Sequence, residues 1–187
     1  MAGMDAFIDR LDPDMCVVTA AADGDRAGCL VGFSSQCSIE PVRYAVWLSK
    51  ANRTYRVART APRLAVHLLT REQRGLAELF GGETGDRTDK FVRVPWREEA
   101  GGAVVLDEAS AWFVGRVVQR VEGGDHVGFV LEPETWGGRE ASGALGLRRL
   151  SDCTSSRPGP DPRSRLAYVD QYTLNKEGLK ERITDST

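Results

Sequence analysis

Short runs of β-branched and other apolar residues, separated by turn-forming residues, recur along most of the chain and predict a mainly β protein. Turn signals at Asp23-Gly24-Asp25 and at residues 122–125 join consecutive runs as hairpins. Sequential strands with short turns favour an antiparallel barrel. The predicted strands cover residues 15–22, 28–34, 44–48, 64–69, 104–106, 111–121 and 126–131.

Three segments carry the spacing or the boundary residues of short helices, and we expect them to pack outside the barrel. Residues 5–11 have apolar residues at helical spacing, and residues 52–60 end before a proline. The third helix is predicted to start at residues 70–73, which match a capping box, and to end at the glycine pair 81–82.

The composition excludes several kinds of partner. The 25 Lys and Arg residues nearly balance the 27 Asp and Glu residues, giving a formal net charge of -2, so no basic surface for nucleic acid is expected. Any bound anion must therefore be held by a local site. Four cysteines without a CxxC pair, and only two histidines, argue against a zinc site, and no metal is predicted.

Residues 1–152 are expected to form one domain, and residues 153–187 to form a Pro- and Arg-rich linker followed by a tail or arm. No run approaches the roughly 18 apolar residues that a membrane-spanning helix needs. The first residues lack a signal-peptide core, and the cysteines occur mostly in apolar runs. These features favour a cytoplasmic protein without membrane contact.

The most informative run lies between a predicted strand and a predicted helix, at residues 48–54. Amide groups at a helix start lack partners within the helix and can bind an anion. Ser49 and Thr54 can add hydroxyl groups, whereas Lys50 and Arg53 can neutralise charge. The run therefore predicts a phosphate site. The alternative is an ordinary solvated helix start with Asn52 as its N-cap.

Two other features are weaker. Residues 28–38 pass from small apolar to small polar residues, which lets a planar heterocycle approach the backbone, although a strand entering a polar loop has the same composition. His126 could act near neutral pH or could simply lie at a strand rim, whereas His67 lies in an apolar run and is expected to be structural. Because no nucleophile elbow, P-loop or dinucleotide fingerprint occurs, a cofactor is expected to supply any chemistry.

Together these stretches resemble the flavin reductase family, the NAD(P)H:flavin oxidoreductases built on the FMN-binding split barrel. The resemblance covers about residues 15–133. It implies a mainly β, antiparallel, Greek-key-like split β-barrel with short flanking helices. The matching pieces are Val17-Val18-Thr19 followed by Asp23-Gly24, the runs 28–41 and 49–54, Asp89-Lys90-Phe91, and Gly124-Asp125-His126 with Val127-Gly128-Phe129.

The resemblance also implies roles for individual residues. Ser49, Lys50, Arg53 and Thr54 would meet the flavin phosphate, and His126 would be the catalytic residue, associated with nicotinamide binding and hydride transfer. Lys90 and Phe91 would lie near the flavin. The loop that wraps the isoalloxazine ring and ribityl chain would consist of Leu30, Val31, Gly32, Phe33, Ser34, Ser35, Gln36 and Cys37.

This loop departs from the common family pattern, which reads roughly Thr-x-Asn-Ser-Phe-Thr-Ser-x-Ser. The polar contacts of its first residues are lost or replaced by backbone, and the usual Pro-Pro is Pro41-Val42, whereas the phosphate end is intact. The residues in the pattern positions are Leu30, Gly32, Phe33, Ser34, Ser35, Gln36 and Ser38.

The function implied by the resemblance is NAD(P)H-dependent reduction of FMN or FAD by a homodimer, with reduced flavin available to a partner monooxygenase. The altered loop leaves open a flavin-binding carrier or sensor without reductase activity. A split-barrel oxidoreductase that uses a deazaflavin is a third alternative.

Overall fold

The computed structural model describes residues 4–8, 10–83, 85–138, 143 and 145, so the predicted linker and tail at 153–187 lie outside the described residues. Within these ranges the chain forms nine strands and three α-helices. The strands are β1 (Cys16–Ala22), β2 (Asp25–Val31), β3 (Ser34–Ile39), β4 (Val42–Ser49), β5 (Arg63–Leu68), β6 (Trp96–Glu99), β7 (Ala103–Leu106), β8 (Ala111–Glu122) and β9 (His126–Gly138). The helices are α1 (Asp5–Ile8), α2 (Arg53–Ala58) and α3 (Arg74–Gly82), with 3₁₀ turns at Arg71–Gln73, Lys90–Arg93 and Ala100–Gly102.

Seven strands form one antiparallel sheet in the order β2-β1-β5-β8-β9-β4-β3. The sheet curls around an apolar core that contains residues of β1, β2, β4, β5, β9 and α2. Each strand contributes alternate residues, because successive side chains of a strand point to opposite faces of the sheet. On β1, for example, Cys16, Val18 and Ala20 face this core, whereas Val17 belongs to a second cluster that includes residues of α3 and β7. The outcome is a barrel with one layer packed on its outer surface.

The outer layer consists of α3 and the antiparallel β6–β7 ribbon. The predicted capping box before α3 is present, since the Gln73 side chain accepts a hydrogen bond from the Thr70 N–H at 3.0 Å. The apolar face of α3 then buries Leu76 and Phe80 in the second cluster. The chain between α3 and β6 returns through the 3₁₀ turn Lys90–Arg93, which closes the layer beside the barrel.

His67 connects the barrel to this layer. The residue is fully buried on β5, with its Nδ1 3.0 Å from the carbonyl oxygen of Val17 and its Nε2 accepting from the Leu106 N–H at 3.1 Å. A neutral ring with its proton on Nδ1 satisfies both contacts. Burial lowers the pKa of His67 to about 4, so the ring is neutral at physiological pH. The structural assignment made from the sequence is confirmed.

The prediction of a polar loop after β2 is wrong, because residues 34–39 form strand β3. This strand pairs with β4 from Ser34↔Val46 to Ile39↔Val42, with a bulge between Gln36 and Ser38. Most of its side chains are exposed, so the hydrophobic alternation that would predict a strand is missing. Backbone pairing at the sheet edge, rather than a buried face, specifies this element.

Other element boundaries also differ from the sequence prediction. Strand β6 was not predicted, and β9 continues to Gly138 because β8 supplies a pairing partner along that length. Pro133 is tolerated within β9, since it lies where the β8–β9 register shifts between Val114 and Gly115. Helix α1 spans four residues and α2 six, both shorter than predicted.

Candidate functional site

The predicted phosphate run forms the tight turn between β4 and α2. The Ser49 carbonyl accepts from the Asn52 N–H at 3.0 Å, and the Ser49 hydroxyl accepts from the Ala51 N–H at 3.4 Å. Asn52 stands at the N-cap position of α2, but its side chain makes no capping hydrogen bond. Because α2 spans only six residues, side-chain charge and local amide groups, rather than a helix dipole, must supply most of the attraction for an anion here.

The side chain of Thr54 points away from solvent. It is 1% exposed, and its hydroxyl hydrogen-bonds the buried Cys29 thiol. Burial raises the pKa of Cys29 to about 11, against a smaller lowering from the Thr54 contact. Any contact of Thr54 with a ligand must therefore use its backbone, whereas the side chain fixes α2 to β2.

The hairpin between β8 and β9 is attached to this turn. The Lys50 N–H donates to the Asp125 carbonyl at 2.9 Å, and the Lys50 ammonium lies 2.6 Å from Glu122 Oε2. The hydrogen bond with Glu122 raises the pKa of Lys50. Ser49 and His126 are direct partners in the β4–β9 register. The predicted phosphate turn and the predicted catalytic histidine thus belong to one hydrogen-bonded unit.

The Trp47 ring packs against Gly123 and Gly128 of the same hairpin. A Cβ on Gly128 would lie 3.0 Å from two ring carbons of Trp47, and a Cβ on Gly123 would overlap the same ring. The hairpin closes with the Gly123 N–H donating to the His126 carbonyl at 2.9 Å. Two positions without side chains therefore let the hairpin lie directly on the indole.

His126 has two neighbours that restrict its ring. Its Nδ1 lies 2.9 Å from Asp125 Oδ1, and the Phe33 ring packs edge-on at 5.3 Å between centroids with an interplanar angle of 69°. The His126 side chain is 15% exposed, so part of the ring is accessible. The Trp47 N–H donates to the Phe33 carbonyl at 2.9 Å, which places Phe33 beside the hairpin.

The predicted ring-binding residues divide between two strands. Leu30 and Val31 are buried at the end of β2, with Leu30 in the outer cluster and Val31 in the barrel core. Ser34 also turns inward, since its hydroxyl lies 3.1 Å from the Tyr44 hydroxyl and 3.6 Å from the Cys16 sulfur. The residues that reach solvent are Gly32, Phe33, Ser35, Gln36 and Cys37.

Arg53 lies at the margin of a cavity of about 330 Å³ that also includes the predicted residues Lys90 and Phe91. We call it the turn cavity, because the β1–β2 turn forms one wall and residues 85–91 form another. Arg53 is 3.2 Å from Asp25 Oδ1 and 4.0 Å from Asp86 Oδ1. Five further charged residues line this cavity and were not predicted as site residues: Asp25, Arg26, Asp86, Arg87 and Asp89.

Lys90 is a buried cation at the base of the turn cavity. It is 4% exposed, and its ammonium donates to the carbonyl oxygens of Phe80 at 2.9 Å and Gly28 at 3.3 Å. Burial lowers the pKa of Lys90. Beside it, the Phe91 ring packs edge-on against Phe80 with 5.8 Å between centroids. Lys90 therefore links β2 to α3 as well as lining the cavity.

Replacing Lys90 with methionine should lower the free energy of unfolding by about 1–3 kcal/mol, because the two carbonyl groups lose their buried donor. Urea denaturation of the variant measures this loss. The matched control is Arg59→Met, which removes an exposed cation and should leave stability unchanged. Full stability of Lys90→Met would contradict the structural contribution of Lys90.

The structure thus brings Phe33, Ser49, Lys50 and His126 together at one end of α2, and Arg53, Lys90 and Phe91 at the turn cavity. Residues 9–149 match the family described as flavin reductase like domain. The chain belongs to this family. Within the described ranges, the structure has no group of three or more residues placed to hold a metal ion and no helix long and apolar enough to cross a membrane.

This flavin reductase like domain is 32% identical over 140 residues to the FMN reductase (NADH) RutF of Ancylobacter novellus, with 74% of the chain and 75% of the relative covered. It is 26% identical over 183 residues to the reductase component of the flavin-dependent trigonelline monooxygenase of Acinetobacter baylyi, with 97% and 58% covered. The chain spans between 36% and 64% of the length of four curated relatives that it matches.

Solved structures confirm the predicted fold class of this flavin reductase like domain. The crystal structure of a flavin reductase domain protein from Arthrobacter sp. FB24 superposes with a TM-score of 0.70 at 17% identity, covering 76% of this chain and 87% of that one. The split-barrel architecture expected from the sequence is therefore the observed one.

Proposed function

We propose that this protein catalyses the NAD(P)H-dependent reduction of FMN or FAD. The observation that carries the proposal is the direct attachment of the phosphate turn to the hairpin that bears His126, through the Lys50–Asp125 hydrogen bond and the Ser49↔His126 register. A flavin held by its phosphate at the turn would have its ring near Phe33 and His126. Membership of the flavin reductase like domain family supports this arrangement.

The donor set fits a flavin phosphate. Ser49 offers a hydroxyl group, Arg53 offers a guanidinium that is partly exposed, and the first amides of α2 lack a side-chain cap from Asn52. Arg53 already contacts Asp25 and Asp86, which hold it at the cavity margin. Along the edge strand, the backbone of residues 32–37 and the Phe33 ring offer polar edges and an apolar surface to a planar heterocycle.

The protein's own residues would mainly orient the reactants. A bound flavin supplies the redox chemistry by accepting a hydride from the nicotinamide. Hydride transfer requires the reacting atoms to be about 3–3.5 Å apart, so a side chain that positions the nicotinamide has a large effect on the rate. In this proposal His126, which contacts Asp125 and Phe33, would position the nicotinamide.

The direct test is oxidation of NADH and NADPH by the purified protein with FMN or FAD added. Turnover well above that of free flavin is expected with at least one pair. A yellow protein that fails to oxidise either nicotinamide would instead support a flavin carrier or sensor. Absence of both flavin binding and turnover would exclude the proposal.

We also propose a homodimer in the cytoplasm that supplies a partner monooxygenase. Strand β3 ends the described sheet, and near its end Ile39 is 82% and Val42 54% exposed, as expected of a surface that a second copy covers. Free Cys37 on the surface suits a reducing compartment. The Acinetobacter relative is named as the reductase component of a monooxygenase, which supports the partner. A flavin-loaded monomer in sedimentation analysis would contradict the dimer.

A further inference from the structure

Both cations of the phosphate turn already have carboxylate partners in the chain. The Lys50 ammonium lies 2.6 Å from Glu122 Oε2, and Arg53 Nη2 lies 3.2 Å from Asp25 Oδ1. Arg53 Nη1 also lies 4.0 Å from Asp86 Oδ1. A phosphate group that approaches this turn therefore meets ion pairs, and it must replace a carboxylate to reach either cation fully.

The ion pairs cancel the positive charge of the turn. Lys50 and Arg53 contribute two positive charges, and Glu122 and Asp25 contribute two negative ones. A phosphate monoester carries about −1.5 to −2 charges at pH 7, and carboxylates close to it repel it. The turn therefore attracts a phosphate strongly only when a carboxylate withdraws from its cation.

The two carboxylates can withdraw at small cost. The side chains of Glu122 and Asp25 are 72% and 68% exposed, so both can turn into water when a phosphate takes their cations. An exposed ion pair is favoured over its separated state by a factor of about five at most. Glu122 ends β8 and Asp25 begins β2, so the two carboxylates belong to different hairpins and can move independently.

We propose that Glu122 and Asp25 compete with the flavin phosphate for Lys50 and Arg53, and that this competition lowers the affinity of the protein for its flavin. The inference rests on the proposed function, because it concerns the flavin phosphate at the same turn. Each departing phosphate is replaced by a carboxylate of the chain, which makes release of the flavin easier. Glu122 and Asp25 thus set the flavin affinity without touching the reacting atoms.

The alternative role of these carboxylates is to hold the two cations in place for the phosphate. The two roles predict effects of opposite sign. Removing the charge of a competitor strengthens phosphate binding, whereas removing a positioning partner weakens it. Glu122→Gln and Asp25→Asn remove one negative charge each and keep the size of the side chain, so the sign of their effect on phosphate binding distinguishes the two roles.

The experiment measures dissociation constants for FMN and for riboflavin, which lacks only the phosphate, by fluorescence titration. Glu122→Gln and Asp25→Asn should each tighten FMN binding about threefold to fivefold, and the double variant about tenfold, with riboflavin binding changed by less than about 1.5-fold. The matched control is Glu78→Gln, which cuts the exposed Arg74–Glu78 pair of α3 at 2.8 Å and should change neither constant.

Steady-state reduction of FMN gives a second readout. The KM for FMN should fall in the double variant without a rise in kcat, because tighter binding does not speed release of the flavin. Unchanged or weaker FMN binding by the variants would overturn the inference, as would an equal gain for riboflavin. A protein that reduces FMN while its variants bind FMN as the wild type does would keep the proposed function and lose this inference. Tighter binding by the variants without oxidation of either nicotinamide would have the opposite meaning.

Discussion

Replacing His126 with alanine should lower kcat/KM for the preferred nicotinamide by about 100-fold. The ring lies at the edge of the proposed flavin site, with Asp125 at 2.9 Å and the Phe33 ring beside it, so few other orientations are open to it. Loss of the ring removes a surface that would position the nicotinamide. Misplacement of the reacting atoms by about 1 Å can lower the rate about 10²-fold. Steady-state oxidation of NADH and NADPH measures the change.

Two controls separate positioning from general damage to the site. Flavin affinity of His126→Ala should stay within about twofold of wild type, because the phosphate turn is unchanged. Asp125→Asn keeps the imidazole but weakens its partner, so its effect should be smaller than that of His126→Ala. A kcat/KM within about threefold of wild type for His126→Ala would show that the residue has no part in nicotinamide binding or hydride transfer.

Replacing His67 with leucine should lower the free energy of unfolding at neutral pH by about 2–5 kcal/mol. The variant keeps an apolar side chain but leaves the Val17 carbonyl and the Leu106 N–H without their partner inside the core. Each unsatisfied buried group costs about 1–3 kcal/mol, and the altered shape adds to this. Chemical denaturation at pH 7.5 measures the difference.

The same residue predicts an acid-dependent loss of stability. The pKa of His67 is about 4 when folded, against an ordinary value of 6.5, so between these values the unfolded chain binds a proton that the folded chain does not. The contribution of His67 is complete above pH 6.5 and falls as the pH drops towards 4, by about 3 kcal/mol in total.

Carboxylates titrate in the same range, so the informative quantity is the difference between wild type and His67→Leu at each pH. This difference should shrink by about 2–3 kcal/mol between pH 7.5 and pH 4.5. A difference that stays constant with pH would show that His67 does not titrate with folding.

The barrel could be predicted because its main hairpins are marked by local chemistry. The β1–β2 turn contains Asp23 and Gly24, both at positive φ, and the β8–β9 turn contains Gly124 at positive φ. Strand β3 carries no such signal. Its small polar residues resemble a loop, and only pairing with β4 makes the segment a strand. Edge strands with polar faces are hard to recognise from periodicity alone.

In the candidate site, too, residues close together in the sequence could be predicted, whereas those brought together only by folding could not. Ser49, Lys50 and Arg53 could be proposed together because they are close in sequence and chemically suited to phosphate. The sequence could not show that Thr54 points inward, since this depends on the orientation of α2 against β2. Arg26 and Arg87 were missed because separate elements carry them to the turn cavity, and only folding places them beside Arg53.

The indole of Trp47 has a consequence for how this chain can change in sequence. A Cβ on Gly123 would overlap the Trp47 ring, and a Cβ on Gly128 would lie 3.0 Å from it, so the ring would have to shift in either case. The hairpin that contains these glycines carries His126. A side chain at either glycine would displace the hairpin from the indole unless residue 47 became smaller. Substitutions at positions 47, 123 and 128 are therefore expected to be coupled, and a side chain at position 123 is best accommodated when residue 47 is smaller.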